Sequence, residues 1–250
     1  YITDYLNTSV KEYGISCVRM DNAVLYNGLW EAVDRATPDR RGLAEIRYVE
    51  GLYRMWDDLL AANPELIIDN CASGGGRIDL ETCARSIPLW RTDGTIGPLL
   101  AGDFAQAAAQ NQAMTAGLSR YVPFSVSGQM GATPYLFRSG INGGGISFAE
   151  DVRPANYPRD LLKQAIAEAK RLRKYYFGDY YPLTDVTTDA RDWSVIQYHR
   201  PTEQDGMFVL FRRPKSCFAS YVLSEARAIE PAADYEVTQT RCYAPSKPTR

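Results

Sequence analysis

The chain has 250 residues, of which 45% are hydrophobic and 23% are charged, a composition typical of a globular protein with ample core material. Its net charge of −2 gives no reason to expect nucleic acid or an anionic membrane as a partner. No apolar run approaches the roughly 18 residues that a membrane span needs.

The cysteines and the histidine limit the chemistry that the chain can support. Five cysteines are scattered without the spacing of metal ligands, and we expect most of them to be buried, reduced thiols. The only histidine is His199, which we interpret as a structural or surface residue. The sequence therefore argues against a zinc site or a histidine-based triad, and leaves carboxylates, tyrosines, arginines and lysines to carry any chemistry.

The predicted elements alternate between amphipathic helices and short apolar strands, which is typical of parallel β/α proteins. Because the chain opens inside a helix, we expect it to be cut from a larger polypeptide, with three earlier barrel strands missing. The start of this sequence therefore does not indicate whether the protein is cytoplasmic or secreted. Helices are predicted over 3–13, 43–62, 79–85, 102–117 and 158–177, and strands over Ile15–Met20, Leu66–Asn70, Ile87–Trp90, Tyr121–Phe124 and Gly145–Phe148.

Beyond residue 182 the hydrophobic pattern changes to a period of two, which predicts antiparallel strands. The predicted fold class is α/β. Residues 1–182 would form the carboxy-terminal portion of a (β/α)8 TIM barrel, from about the fourth strand onward, and 190–250 an incomplete antiparallel β-sandwich domain, with the boundary near 182–190. The alternating segments are Trp193–Tyr198, Met207–Phe211, Phe218–Leu223 and Tyr235–Thr238.

Two of the predicted barrel strands lead to aspartates, Asp21 and Asp93. A parallel barrel presents such residues on one face, where two carboxylates can act as nucleophile and acid/base in glycoside cleavage. Arg19, two residues before Asp21, would keep that carboxylate ionised. An aromatic neighbour such as Trp90 would favour the protonated form of Asp93 that an acid catalyst needs. The structural alternatives are that Asp21 caps a helix or pairs with arginine, and that Asp93 is a helix N-cap.

A glycine-rich segment, Cys71–Arg77, follows the predicted strand Leu66–Asn70. It lacks the ending of a P-loop and the spacing of a dinucleotide fingerprint, so it gives only weak support for phosphate binding. Its three consecutive glycines allow backbone N–H groups to approach a ligand closely. We therefore expect Cys71, Gly74 and Gly75 to line a ligand subsite; the structural alternative is a tight turn.

These segments resemble glycoside hydrolase family 36, the melibiase-type α-galactosidases. In that family successive strands end in Lys-Trp-Asp, in Cys-x-Ser-Gly-Gly-Gly-Arg and in Trp-x-Ser-Asp. The matching segments here are Arg19–Asp21, Cys71–Arg77 and Trp90–Asp93, in the same order and spacing. Arg19 and Met20 stand where the family has Lys and Trp. The resemblance covers nearly the whole chain.

The resemblance implies a retaining glycoside hydrolase that cleaves terminal α-galactosides by double displacement, with Asp21 as nucleophile and Asp93 as acid/base, and without a metal or other cofactor. It implies an α-galactoside oligosaccharide or glycoconjugate as substrate and leaves homo-oligomerisation open. An α-N-acetylgalactosaminidase, a raffinose-type transglycosylase and a catalytically inactive carbohydrate-binding homologue stay open as alternatives. The substrate-binding residues that it implies are Arg19, Asn22, Cys71, Ser73, Gly74, Gly75, Arg77 and Trp90.

Overall fold

The computed structural model describes residues 1–21, 27–129, 131–148, 150–223 and 225–245. The chain divides into two compact units, Tyr1–Arg91 and Thr92–Arg250. Helices and strands alternate along much of both units, as the hydrophobic periodicity predicts. The described α-helices are α1 (Ile2–Tyr13), α2 (Asn27–Ala36), α3 (Leu43–Ala62), α4 (Leu80–Cys83), α5 (Ile96–Leu100), α6 (Phe104–Leu118), α7 (Pro134–Gly140) and α8 (Arg159–Leu172).

The strands form small sheets of both kinds. Strands β1 and β2 are parallel, as are β3 and β4, whereas β5, β6 and β7 form an antiparallel sheet in that order. The described strands are β1 (Cys17–Met20), β2 (Ile67–Asn70), β3 (Ser125–Gln129), β4 (Gly144–Phe148), β5 (Asp179–Pro182), β6 (Trp193–Arg200), β7 (Asp205–Arg212), β8 (Thr240–Cys242) and β9 (Ala244–Pro245).

The first unit packs two helices against its parallel strands. Its core is built on Val10 of α1, Leu59 of α3 and Leu66, which precedes β2. Val18 and Met20 of β1 pack against the same cluster. Because side chains alternate along a strand, the other face of β1 carries Arg19. The core thus determines which β1 side chains stay available for chemistry.

The second unit has two hydrophobic clusters. One joins Phe137 and Ile141, around the end of α7, to Ala165 of α8. The other contains Tyr176 together with Ile196 and Tyr198 of β6. The central strand β6 is buried along most of its length, including His199 at 5% exposure, so the interpretation of this histidine as a structural residue is consistent with its burial.

The antiparallel sheet begins before the predicted change of pattern, because Asp179–Pro182 already pairs with β6. The predicted boundary at 182–190 lies inside the second unit and stays a prediction. In the part of the chain that the structure describes, no helix is both long and apolar enough to cross a membrane.

Several sequence-based expectations about strands are wrong. The strand predicted over Tyr121–Phe124 begins only at Ser125, because Pro123 has no N–H to donate and Phe124 adopts a left-handed φ of 59° that interrupts the extended backbone. The predicted strand Ile87–Trp90 contributes a single parallel bridge, from Ile87 to Asp69. Phe218–Leu223 and Tyr235–Thr238 form no continuous strand, although Val237 takes part in an isolated bridge, because alternation alone does not determine how a segment pairs.

The expectation that most cysteines are buried is also wrong for the described side chains. Four cysteines are free thiols, and of these only Cys71 is buried, whereas Cys17 and Cys217 are exposed. Position in a strand did not imply burial for Cys17, because β1 buries its opposite face.

Candidate active site in the first unit

The candidate site lies at the carboxy-terminal edge of β1 and β2. Asp21 directly follows β1 and Cys71 directly follows β2, and the two strands are parallel. The Cys71 N–H donates a hydrogen bond of 2.9 Å to the carbonyl of Met20, which ties the two strand ends together. Polar groups that leave parallel strands at this edge are placed side by side, as in parallel β/α enzymes.

The neighbouring core anchors the residue before Asp21. The side chain of Met20 turns into the core, where its sulfur accepts a hydrogen bond of 2.8 Å from Nε1 of the fully buried Trp56. Met20 therefore supports the strand from the side opposite Arg19 rather than lining the site.

Arg19 bridges two carboxylates. Its Nη1 lies 2.6 Å from Oδ2 of Asp69, and its Nη2 lies 3.4 Å from Oδ2 of Asp21. Burial by itself would lower the pKa of the guanidinium, but the hydrogen bond and charge of Asp69, aided by Asp21, raise the Arg19 pKa overall. The predicted contact between Arg19 and Asp21 is present and also fits the structural alternative in which Asp21 pairs with arginine, but the shorter ion pair joins Arg19 to Asp69.

The thiol of Cys71 also faces Asp21. Burial raises the pKa of Cys71, and a hydrogen bond with the Asp21 side chain raises it further, while a backbone hydrogen bond from Gly74 and the charge of Arg19 act in the opposite direction. A protonated thiol can donate to the carboxylate, so Cys71 serves here as a hydrogen-bond donor rather than as a thiolate nucleophile.

Arg77 holds the two strand ends together. Its Nε donates to Oδ1 of Asn70 at 2.9 Å, and its Nη2 donates to the carbonyls of Met20 at 3.0 Å and Cys71 at 2.5 Å. Its own carbonyl accepts from Nδ2 of Asn70 at 2.9 Å. Through these contacts Arg77 shapes the site. The resemblance implies that Arg77 also contacts the substrate, which stays a prediction.

The glycine-rich segment forms a tight turn beside Asp21. Ser73 is exposed with φ of 48°, and Gly74 is buried with φ of 84°, a left-handed conformation that glycine adopts without strain. A Cβ on Gly75 would lie 2.6 Å from the carbonyl oxygen of Arg91. The glycines are thus needed for the turn itself, and the same turn brings Cys71 to Asp21. The two sequence-based interpretations, a tight turn and a ligand subsite, are therefore compatible.

Asp93 lies in the second unit, exposed, in a 3-10 helix over Asp93–Thr95. The cap of this helix is Thr92, whose Oγ1 accepts from the N–H of Gly94 at 3.0 Å. The structural alternative that made Asp93 the N-cap is therefore wrong. Trp90, three residues earlier, is half-buried in the first unit, and Asn22 lies outside the described residues.

Sequence reasoning missed the roles of Asp69 and Asn70. Both are buried, at 6% and 1% exposure, and hydrogen-bond Arg19 and Arg77 respectively. The sequence did carry a signal for these roles, because Asp69 and Asn70 are polar residues at the end of an apolar strand. Polar side chains that are buried there need hydrogen-bond partners. Over the described residues, no group of three or more histidine, cysteine, aspartate or glutamate side chains is arranged to hold a metal.

Known proteins share these features of sequence and fold. The Melibiase family model matches residues 1–98, which include Arg19–Asp21 and Cys71–Arg77. The resemblance to melibiase-type α-galactosidases is confirmed. Probable α-galactosidase C of Aspergillus terreus is 27% identical over 246 residues, covering 94% of this chain and 31% of that protein. The chain thus spans about a third of the length of this relative.

Two solved α-galactosidase structures share the fold. The galactosidase domain of the α-galactosidase-sucrose kinase AgaSK is similar with a TM-score of 0.69 at 18% identity, covering 100% of this chain and 35% of that one. A variant of the GH36 α-galactosidase AgaA from Geobacillus stearothermophilus, in complex with raffinose, is similar with a TM-score of 0.58 at 17% identity, covering 84% and 29%. These similarities agree with the predicted α/β class.

Proposed function

We propose that the protein is a retaining α-galactosidase and that its parallel strands belong to a (β/α)8 barrel. The observation that carries the proposal is the arrangement around Asp21, which follows a parallel strand and contacts both Arg19 and Cys71 beside a glycine-rich turn. The similarity to named α-galactosidases supports the same conclusion.

In the proposed mechanism Asp21 attacks the anomeric carbon as Asp93 protonates the departing glycosidic oxygen. The bond to the leaving group breaks, and a covalent glycosyl ester forms on Asp21. Asp93 then removes a proton from water, which attacks the anomeric carbon and releases both the sugar and the Asp21 carboxylate. This double displacement requires the two carboxyl groups to lie about 5–5.5 Å apart, whereas inversion requires about 6.5–9.5 Å.

The surroundings of Asp21 suit this role. Arg19 favours the ionised carboxylate, and the Cys71 thiol is positioned to donate a hydrogen bond to it. Because Gly74 has no side chain, its place in the turn would let a sugar hydroxyl approach the backbone. We propose that the substrate is the terminal α-galactosyl group of an oligosaccharide or glycoconjugate, a class to which the raffinose bound by AgaA belongs.

The test is hydrolysis of a nitrophenyl α-galactoside by the intact protein and by Asp21→Gly. Wild type should release nitrophenol, and the variant should lose turnover. Azide should restore activity by entering the space left by the carboxylate, giving a β-configured galactosyl azide. The matched control is Asp39→Gly, which removes a 79% exposed side chain from the same unit and should leave turnover unchanged.

The products separate the alternatives. Turnover of an N-acetylgalactosaminide in place of a galactoside would assign that specificity, and transfer of galactose to a sugar acceptor instead of water would assign transglycosylation. Binding of galactosides without turnover by wild type would indicate an inactive carbohydrate-binding homologue. Full activity of Asp21→Gly would refute the assignment of the nucleophile.

A further inference from the structure

Asp69 connects three neighbouring segments at the edge that carries Asp21. Asp69 lies on β2. Its Oδ2 accepts a hydrogen bond of 2.6 Å from Nη1 of Arg19, and its Oδ1 accepts one of 3.3 Å from the N–H of Leu89. The side chain of Asp69 is 9% exposed, against 42% for Arg19. A carboxylate that is nearly enclosed and held through both oxygens can fix the orientation of the guanidinium that binds it.

Arg19 interacts unequally with its two partners. Its contact with Asp69 is 2.6 Å long, and its contact with Asp21 is 3.4 Å. A guanidinium is a planar fork that binds a carboxylate through two parallel hydrogen bonds when nothing else orients it. Such a pair with Asp21 would engage both oxygens of a carboxylate that has to attack carbon, and would make it a weaker nucleophile.

We infer that Asp69 is a positioning residue that holds Arg19 and prevents it from forming a two-bond pair with Asp21; this rests on the proposed function. The register of β1 and β2 sets Arg19 directly opposite Asp69, so the restraint is built into the sheet. Arg19 and Cys71 are titratable groups beside Asp21, and Asp69 and Cys17 lie beside Arg19 on the same two strands. Asp69 acts through Arg19 and does not itself contact the reacting atoms.

The first test is Asp69→Asn, which keeps the shape of the side chain and an oxygen for the N–H of Leu89 but removes the charge that holds Arg19. We expect kcat on a nitrophenyl α-galactoside to fall by up to about 100-fold with little change in KM, since the nucleophile rather than binding is affected. The acidic limb of the kcat profile should move to lower pH, because Arg19 then stabilises ionised Asp21 more strongly.

A matched control removes an ion pair elsewhere in the same unit. Asp57→Asn eliminates the 2.7 Å contact with Arg85 on the surface, and should leave both kcat and the pH profile unchanged. Retention of the wild-type tryptophan fluorescence, to which the buried Trp56 contributes, would show that Asp69→Asn remains folded.

A second test exchanges side-chain length across the pair. Lysine reaches less far than arginine, and glutamate reaches farther than aspartate, so Arg19→Lys combined with Asp69→Glu should restore the contact. We expect the double variant to exceed each single variant in kcat by at least about tenfold, a coupling that independent sites do not show.

The outcomes distinguish this inference from the proposed function. Rescue of Asp21→Gly by azide would support the proposed function. If the double variant then shows additive losses, or Asp69→Asn leaves the pH profile unchanged, only the role of Asp69 is overturned. Failure of wild type to hydrolyse any galactoside would overturn the proposed function and this inference with it.

Discussion

Replacing Arg77 by lysine should separate a residue that builds the site from one that binds substrate. The substitution keeps the positive charge but removes the fork that contacts Asn70, Met20 and Cys71. A lysine ammonium at this place can reach one of the three acceptors, so two lose the Arg77 donor, although the Met20 carbonyl keeps the N–H of Cys71. Arg77 joins the ends of β1 and β2, and Asp21 directly follows β1.

The magnitude follows from those contacts. A buried acceptor left without a donor costs about 1–3 kcal/mol, and one or two acceptors are left so in this half-buried place, so the free energy of unfolding should fall by about 1–4 kcal/mol. With a urea dependence of about 2 kcal/mol per M, the midpoint of unfolding should fall by about 0.5–2 M. Arg85→Lys is the matched control, because its partners Asp57 and Glu81 are more than half exposed, and it should cost less than about 1 kcal/mol.

Urea unfolding followed by tryptophan emission measures this loss, and one contributor is Trp56, whose ring centre lies 6.0 Å from the Arg77 guanidinium. Hydrolysis of a nitrophenyl α-galactoside, measured in parallel, should show a lower kcat, because Asp21 is no longer held firmly. An unchanged midpoint together with a raised KM would refute this reasoning and favour direct contact between Arg77 and the sugar.

Two further predictions concern Asp93 and the glycine turn. Asp93→Asn should abolish hydrolysis of oligosaccharides with poor leaving groups but spare the first step with a nitrophenyl galactoside, so a burst of nitrophenol should precede slow turnover; equal losses on both substrates, without a burst, would exclude an acid/base role. Gly75→Ala should destabilise the protein and raise KM, because the new Cβ would lie 2.6 Å from the carbonyl oxygen of Arg91. Gly51→Ala, in open space on α3, should instead stabilise by about 0.5–1 kcal/mol, and similar effects of the two substitutions would contradict this account.

Local patterns were sufficient for much of the fold. Helix α3 begins and ends at the predicted residues, Leu43 and Ala62, because its apolar spacing and the Asn63-Pro64 stop are properties of adjacent residues. The strand that leads to Asp21 was predictable for the same reason. The motif Cys71–Arg77 also identified the turn beside Asp21, since glycines in such a run indicate close packing of backbone.

Tertiary structure decided the features that depend on pairing between distant segments. Strand β3 has the sequence Ser125–Gln129, which carries no strong apolar signal, and exists through its register with β4. The partner of Arg19 could not be read from its neighbours, because Asp69 lies 50 residues away and is brought opposite by strand pairing. The sequence by itself thus determined which residues end β1 and β2, and the hydrogen-bond register between strands decided which of those residues meet.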